Sequence, residues 1–169
     1  MEFNGFIDII ITRKWFYRDF VIGIMEIPFY GFKCYCMEHK QDNFAKMKLN
    51  VALPHSQYLM KPVVKNGTYP TPQVSHRLKG WVKSPYICPE FTQLKDLPTG
   101  CITIGKKTKD NKLEAYDKVS ENFKKIMQKA FQRVNLVTLY IYESSEKVYC
   151  EESQEVEGIN FLEDEDEYE

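Results

Sequence analysis

The sequence predicts an α+β fold, mainly antiparallel β in a small barrel or sandwich, with one long helix in its C-terminal half. Three observations carry this. Eleven Tyr and eleven Phe crowd a chain of 169 residues, and aromatic side chains suit pleated, half-buried strands. Short β-branched or alternating runs recur, joined by connections too brief for crossover helices. One stretch, about residues 117–134, repeats its apolar side chains at helical spacing. With 43% hydrophobic residues the chain has enough for a core, and its length suits a single domain, residues 1–150, followed by a tail.

Phe6 to Thr12 (FIDIIIT) is a β-branched run and reads as a buried strand. Phe20 to Ile27 is a second strand, ended by Pro28, which has no N–H for a ladder. Tyr30-Gly31 turns the chain. Phe32 to Glu38 (FKCYCME) alternates, with Phe32, Cys34, Cys36 and Glu38 on one face and Lys33, Tyr35 and Met37 on the other. These three segments predict an antiparallel meander. His39 to Leu49 is polar and reads as a loop. Gln57 to Val64, introduced by Pro54, is a fourth strand, and Asn66-Gly67 is a turn signal.

Residues 68–80 carry Pro70 and Pro72 and read as irregular. Trp81 to Cys88 reads as a short strand broken by Pro85. Pro89 to Thr99 loops round to Cys101, which follows Gly100 and opens a short alternating strand. Lys106 to Lys112 reads as a basic, exposed connection. In the helix, Val119, Phe123, Ile126, Met127 and Ala130 make one apolar stripe. Asp117 suits the N-cap, Glu121 the first turn, and Lys129 and Arg133 the end, in keeping with the helix dipole. The stripe reads as core packing, not a cofactor box. Leu136 to Tyr142 (LVTLYIY) is the last strand.

Composition excludes several classes. No apolar run approaches the roughly 20 residues of a membrane span. Met1-Glu2-Phe3-Asn4 lacks the basic and apolar regions of a signal peptide. Five cysteines, none in C-x-x-C spacing, read as reduced and mostly buried thiols, which predicts a reducing cytoplasm. Neither a metal-binding spacing nor a Walker or G-x-G-x-x-G loop is present, so no metal and no cofactor is expected.

The charge is split. Residues 151–169 hold 10 acids and no Lys or Arg, whereas residues 1–150 hold 14 acids against 23 bases, a net of +9. Such a tail can be a solvated solubility segment. Val156, Ile159, Phe161 and Leu162 are spaced within it, next to Glu163, Asp164, Glu165, Asp166 and Glu167. That pattern predicts partner contact, with apolar anchors and acids that set orientation. Lys106, Lys107, Lys109 and Lys112, with the lysines of the helix, make a basic patch. It suits a basic nucleic-acid-binding or regulatory module as a minor alternative, although nothing here reads bases.

Several segments line up with one family. Phe32-Lys33-Cys34-Tyr35-Cys36-Met37-Glu38 resembles the F-x-C-Y-x-L-E strand of a family of unknown function from Bacteroides and phages. Leu53-Pro54-His55-Ser56-Gln57-Tyr58 is similar to its I-P-x-G-x-Y turn, with Ser56 in place of glycine. Gly100-Cys101-Ile102-Thr103-Ile104-Gly105 resembles its G-C-I-x-x-G element, and Ile22-Gly23 the I-G of its second strand. The likeness spans about residues 6–142. That family is distantly similar to L,D-transpeptidases, whose nucleophilic cysteine opens a strand after glycine.

The resemblance implies a histidine upstream of Cys101, near Glu90. Here the segment reads Ile87-Cys88-Pro89-Glu90-Phe91-Thr92, and Thr103 stands where transpeptidases favour arginine. A cysteine nucleophile needs a neighbouring base or a depressed pKa. The histidines are His39, just past a strand end, His55 in a turn, and His76 in the irregular segment. A carboxylate at Glu90 would raise the thiol pKa. The leading expectation is a bacteriophage virion-associated structural or assembly protein on a catalytically silent transpeptidase-like scaffold. It would be made in the bacterial host cytoplasm and bind other phage structural proteins, as a homo-oligomer or part of a larger assembly. The alternative is a cell-wall peptide-modifying enzyme using Cys101, with His76 as its candidate base.

Overall fold

A computed structural model describes residues 6–40, 57–65, 69–75, 85–89, 97–98, 100–107, 113–114, 117–133 and 136–150. Along these the elements are β1 (Phe6–Phe16), β2 (Phe20–Ile27), a 3-10 turn (Pro28–Tyr30), β3 (Phe32–His39), β4 (Gln57–Lys65) and β5 (Tyr69–Val74). Then come β6 (Ile87–Cys88), β7 (Ile102–Lys107), β8 (Leu113–Glu114), α1 (Asp117–Arg133) and β9 (Leu136–Tyr149). The strands form one sheet in the order β5-β4-β9-β1-β2-β3-β7-β6, with β8 paired to β7. Its two ends approach each other. Gln73 bridges Tyr86, and the Val74 N–H donates to the Pro85 carbonyl at 2.9 Å. The sheet thus curls into a nearly closed barrel with one helix, the α+β class expected from the sequence.

The meander β1-β2-β3 is antiparallel, as its short connections require. Gly31 makes the β2–β3 turn with φ 62°, a left-handed conformation natural to glycine. Among the described strands two pairings are parallel: β1 with β9 and β6 with β7. The former joins the first described strand to the last.

Alternation sorts side chains to two faces. Inside lie Ile7, Ile9 and Ile11 of β1, Met25 and Ile27 of β2, Cys36 of β3, Ile102 and Ile104 of β7, and Val137, Leu139 and Ile141 of β9. Burying each such aliphatic side chain stabilises the fold by about 1.5–3 kcal/mol. Helix α1 adds Val119, Phe123, Met127 and Ala130 to this core and packs across β5, β7 and β9. The Phe123 ring meets Phe32 at 6.1 Å between centroids, and the Ser120 hydroxyl donates to the Pro89 carbonyl. The apolar stripe is core packing, as its spacing predicted. On the outer face a second buried cluster gathers Trp15, Tyr17, Ile22, Tyr35 and Met37.

Several segments differ from the sequence reading. Strand β1 runs to Phe16, past the expected Thr12, and β3 takes in His39, read as the start of a loop. Residues 69–74 are a strand despite Pro70 and Pro72, which pair with Val64 and Pro62. In an antiparallel strand, alternate N–H groups point to opposite sides. The Val74 N–H points away from β4, toward Pro85, while the Ser75 N–H reaches Leu59 on β4 at 2.8 Å. Pro70 and Pro72 share the direction of Val74, so neither removes a bond to β4. Lys106 and Lys107, read as part of a connection, close β7 and pair with Glu114 and Leu113. Strand β9 runs on to Tyr149, beyond the expected Tyr142, because β1 continues to pair with it past an irregularity between Arg13 and Trp15.

Candidate functional site

Cys101 is placed by a turn and a ladder. Its N–H donates to the Pro98 carbonyl at 3.0 Å, and Gly100 before it takes φ 77°, where any Cβ would be strained. Strand β7 then begins at Ile102. Because Ile102 and Ile104 point into the barrel, alternation sends Cys101 and Thr103 to the outer face. Strand β6 runs parallel beside it, with Ile87 level with Ile102 and Cys88 level with Thr103. The Tyr86 N–H donates to Cys101 Sγ at 3.4 Å. Cys101 is only 2% exposed.

The other side of Cys101 is β3. Tyr35 pairs Gly105, Cys36 pairs Ile104 and Met37 pairs Thr103. The pairing ends at Met37 and Thr103, and His39 closes β3 two residues further on. Tyr35 and Met37 belong to the outer cluster, so His39 shares their face and that of Cys101. The ring is 4% exposed, and its Nε2 donates to the Leu97 carbonyl at 2.6 Å. A carbonyl only accepts, so Nε2 carries a hydrogen in this contact. Tyr86, just before β6, thus touches Cys101, just before β7.

The remaining thiols differ in setting. Burial pushes Cys34 upward. Cys36 rises well above the ordinary thiol value through burial first, then the charges of Glu38 and Cys34. These two face the barrel and are poor nucleophiles. Tyr86 is raised by burial, then by the charges of Cys101 and Cys88. Among the described residues, no group of three His, Cys, Asp or Glu is arranged to hold a metal ion, and no helix is long and apolar enough to cross a membrane.

Of the residues singled out in the sequence, Cys101 sits at the start of β7, and Lys106 and Lys107 lie at its end. His55, His76, Glu90, Lys109 and Lys112 lie outside the described residues, as do Val156, Ile159, Phe161, Leu162, Glu163, Asp164, Glu165, Asp166 and Glu167. His39 is the residue that sequence reasoning left in a loop. It is the last residue of β3, and its contact with Leu97 spans 58 positions. The alternation of Phe32 to Glu38, carried one residue further, was the signal for it. No family model, curated protein or solved structure matches the chain.

Proposed function

We propose that this chain is a phage structural or assembly protein whose work is to bind other structural proteins. The observation that carries this is the distal half of β9. Among the described residues the large hydrophobic side chains most open to solvent are Phe29, Tyr142, Val148 and Tyr149, and three of these lie between Tyr142 and Tyr149. Tyr149 is 74% exposed, and it stands two positions before the acidic segment 151–169 begins.

Exposed hydrophobic side chains spaced along one strand, Tyr142 and then Val148 with Tyr149, offer places for protein contact. Here they adjoin a segment that mixes apolar residues with 10 acids. A basic surface on a neighbouring copy or another virion protein is the complement of that chemistry. The transpeptidase-like resemblance supplies the scaffold, and the missing histidine near Glu90 argues against the ancestral pairing. On this reading the protein is made in the bacterial host cytoplasm and carried into the virion.

Mass spectrometry of purified virions against infected-cell lysate tests the reading. The chain is expected in the particle, in a fixed ratio to the main structural proteins. Recovery from lysate alone overturns it.

A further inference from the structure

We infer that the basic face of α1 is the docking site for segment 151–169 of a second copy of this chain, so that copies join end to end. The inference rests on the assembly role proposed above and names the surface that the acidic segment meets.

The helix divides its charge along its length. Asp117 and Glu121 stand near its start, whereas Phe123 to Arg133 hold four bases, Lys124, Lys125, Lys129 and Arg133, and no acid. One side, with Phe123, Met127 and Ala130, faces the core. Lys125, Lys129 and Arg133 are exposed on the other. The helix dipole offsets only about half a charge at this end, so most of the positive charge remains. Arg133 also lies over the Phe29 ring at 5.7 Å, and Phe29 is itself exposed. An apolar contact therefore adjoins the basic one. Segment 151–169 matches both, since Phe161 and Leu162 directly precede the acids at 163–167.

Placement makes the partner another copy. Helix α1 sits at the barrel end marked by the β2–β3 turn, where Arg133 meets Phe29 and Phe123 meets Phe32. The chain then enters β9 at Leu136, opposite Phe6. Residue 151 follows at the far end, where the Cys150 N–H donates to the Phe16 carbonyl. The 11 residues of β1 that separate the two ends cover about 33 Å. A flexible coil as long as segment 151–169 spans about 24 Å on average. Charge repulsion stretches such a coil, but its own helix lies back along the length of the barrel. A copy stacked on the far end brings its helix to the segment. The bases near that exit already have acid neighbours, Lys147 with Glu143 and Arg18 with Asp19. Each copy offers one helix and one segment, so the contact is heterologous. It propagates into a ring or filament and does not close as a two-fold dimer.

Sedimentation of full-length variants tests this. Lys125→Glu with Lys129→Glu should weaken self-association roughly tenfold or more. So should Glu163→Gln, Asp164→Asn, Glu165→Gln, Asp166→Asn and Glu167→Gln combined in one chain. An equimolar mixture of the two proteins keeps one intact helix and one intact segment, and should form a one-to-one complex that grows no further. Carbodiimide cross-linking of mixed light and isotope-labelled parent chains reads the contact directly, and decides if a variant fails to fold. Bonds from residues 163–167 should reach Lys125 or Lys129 in peptides of opposite label. Parent-like association of Lys125→Glu with Lys129→Glu overturns the inference, as does a mixture that forms no complex or cross-linking confined to one label. Recovery of the chain in virions judges the assembly role apart. Presence there with cross-links confined to one label overturns this inference alone.

Discussion

Arg13 and Glu38 meet inside the barrel, where Arg13 Nε donates to Glu38 Oε2 at 2.9 Å and Nη2 to Oε1 at 2.8 Å. Their side chains are 0% and 1% exposed. Burial acts to lower the Arg13 pKa, but the charge of Glu38 and its hydrogen bond outweigh it and hold the guanidinium above its ordinary value. The pair ties β1 to β3 across β2, at the strand end that also carries His39. Removing one partner leaves a buried charge without its counterpart, which costs about 3–5 kcal/mol. Glu38→Ala should therefore lose about that much in urea denaturation. Arg13→Met with Glu38→Leu should recover most of it. A Glu38→Ala protein as stable as the parent would show that water reaches this end of the barrel.

Gly23 has a different constraint from Gly31. A Cβ at Gly23 would lie 2.7 Å from the Thr12 carbonyl oxygen and 3.3 Å from Cys36 Sγ. Since the first of these is backbone in the neighbouring strand, it has little room to move. Gly23→Ala should cost about 1–3 kcal/mol by overpacking. At Gly31 nothing lies within 4 Å, but φ is +62°, so alanine there should cost about 1–2 kcal/mol through backbone strain alone. Thermal melting separates the two when paired with hydrogen exchange. Only Gly23→Ala should loosen the β1–β2 ladder.

Phe123 is fully buried in the interior core, with Phe32 beside it. Phe123→Ala should destabilise by about 3–5 kcal/mol. Phe123→Leu should cost much less, because it keeps most of the volume. Equal costs for the two would mean that ring contact, not filled space, dominates at this position.

The helix, the meander and β4 were visible in the sequence because each is local. An apolar stripe at helical spacing or a run such as FVIGIMEI declares its own partner face. The pairings of β3 with β7 and β1 with β9 were not visible, because they join segments far apart and depend on register. That is why His39 looked like a loop residue. The prolines of β5 misled for a related reason. Whether a proline breaks a strand depends on which side its missing N–H would face, and that follows only from the neighbours.

Tyr58 gives the fold an alkaline limit. Its phenol is pushed up from 10.0 to about 12, chiefly by burial, with Arg13 lowering it and Glu38 raising it. A raised pKa in the folded state means that the native protein holds this proton more tightly than the unfolded chain. Its contribution to stability is complete below about 10 and is lost as pH rises toward about 12. Denaturation midpoints should fall across that window. Tyr58→Phe should flatten part of the decline, leaving the share due to Tyr17, Tyr30 and Tyr86, which burial also raises. An identical decline in Tyr58→Phe would assign the alkaline limit to other groups.

The exposed end of β9 should matter to assembly and not to folding. Tyr140 and Tyr142 stack at 6.1 Å, and Tyr149 leans on Phe16 at 5.7 Å, yet Tyr142 is 52% and Tyr149 74% exposed. Side chains so open add little to the core, so Tyr142→Ser with Tyr149→Ser should change stability by less than about 1 kcal/mol. The same double variant should weaken association, because exposed aromatic rings are typical anchors of a protein interface. Deleting residues 151–169 should leave the barrel folded and weaken association further. It should also remove much of its salt dependence, since 10 acids leave with the tail. Sedimentation of the parent and both variants at two salt concentrations measures this. Parent-like association in both variants at physiological salt would leave the tail a solubility segment and the aromatic edge without a partner.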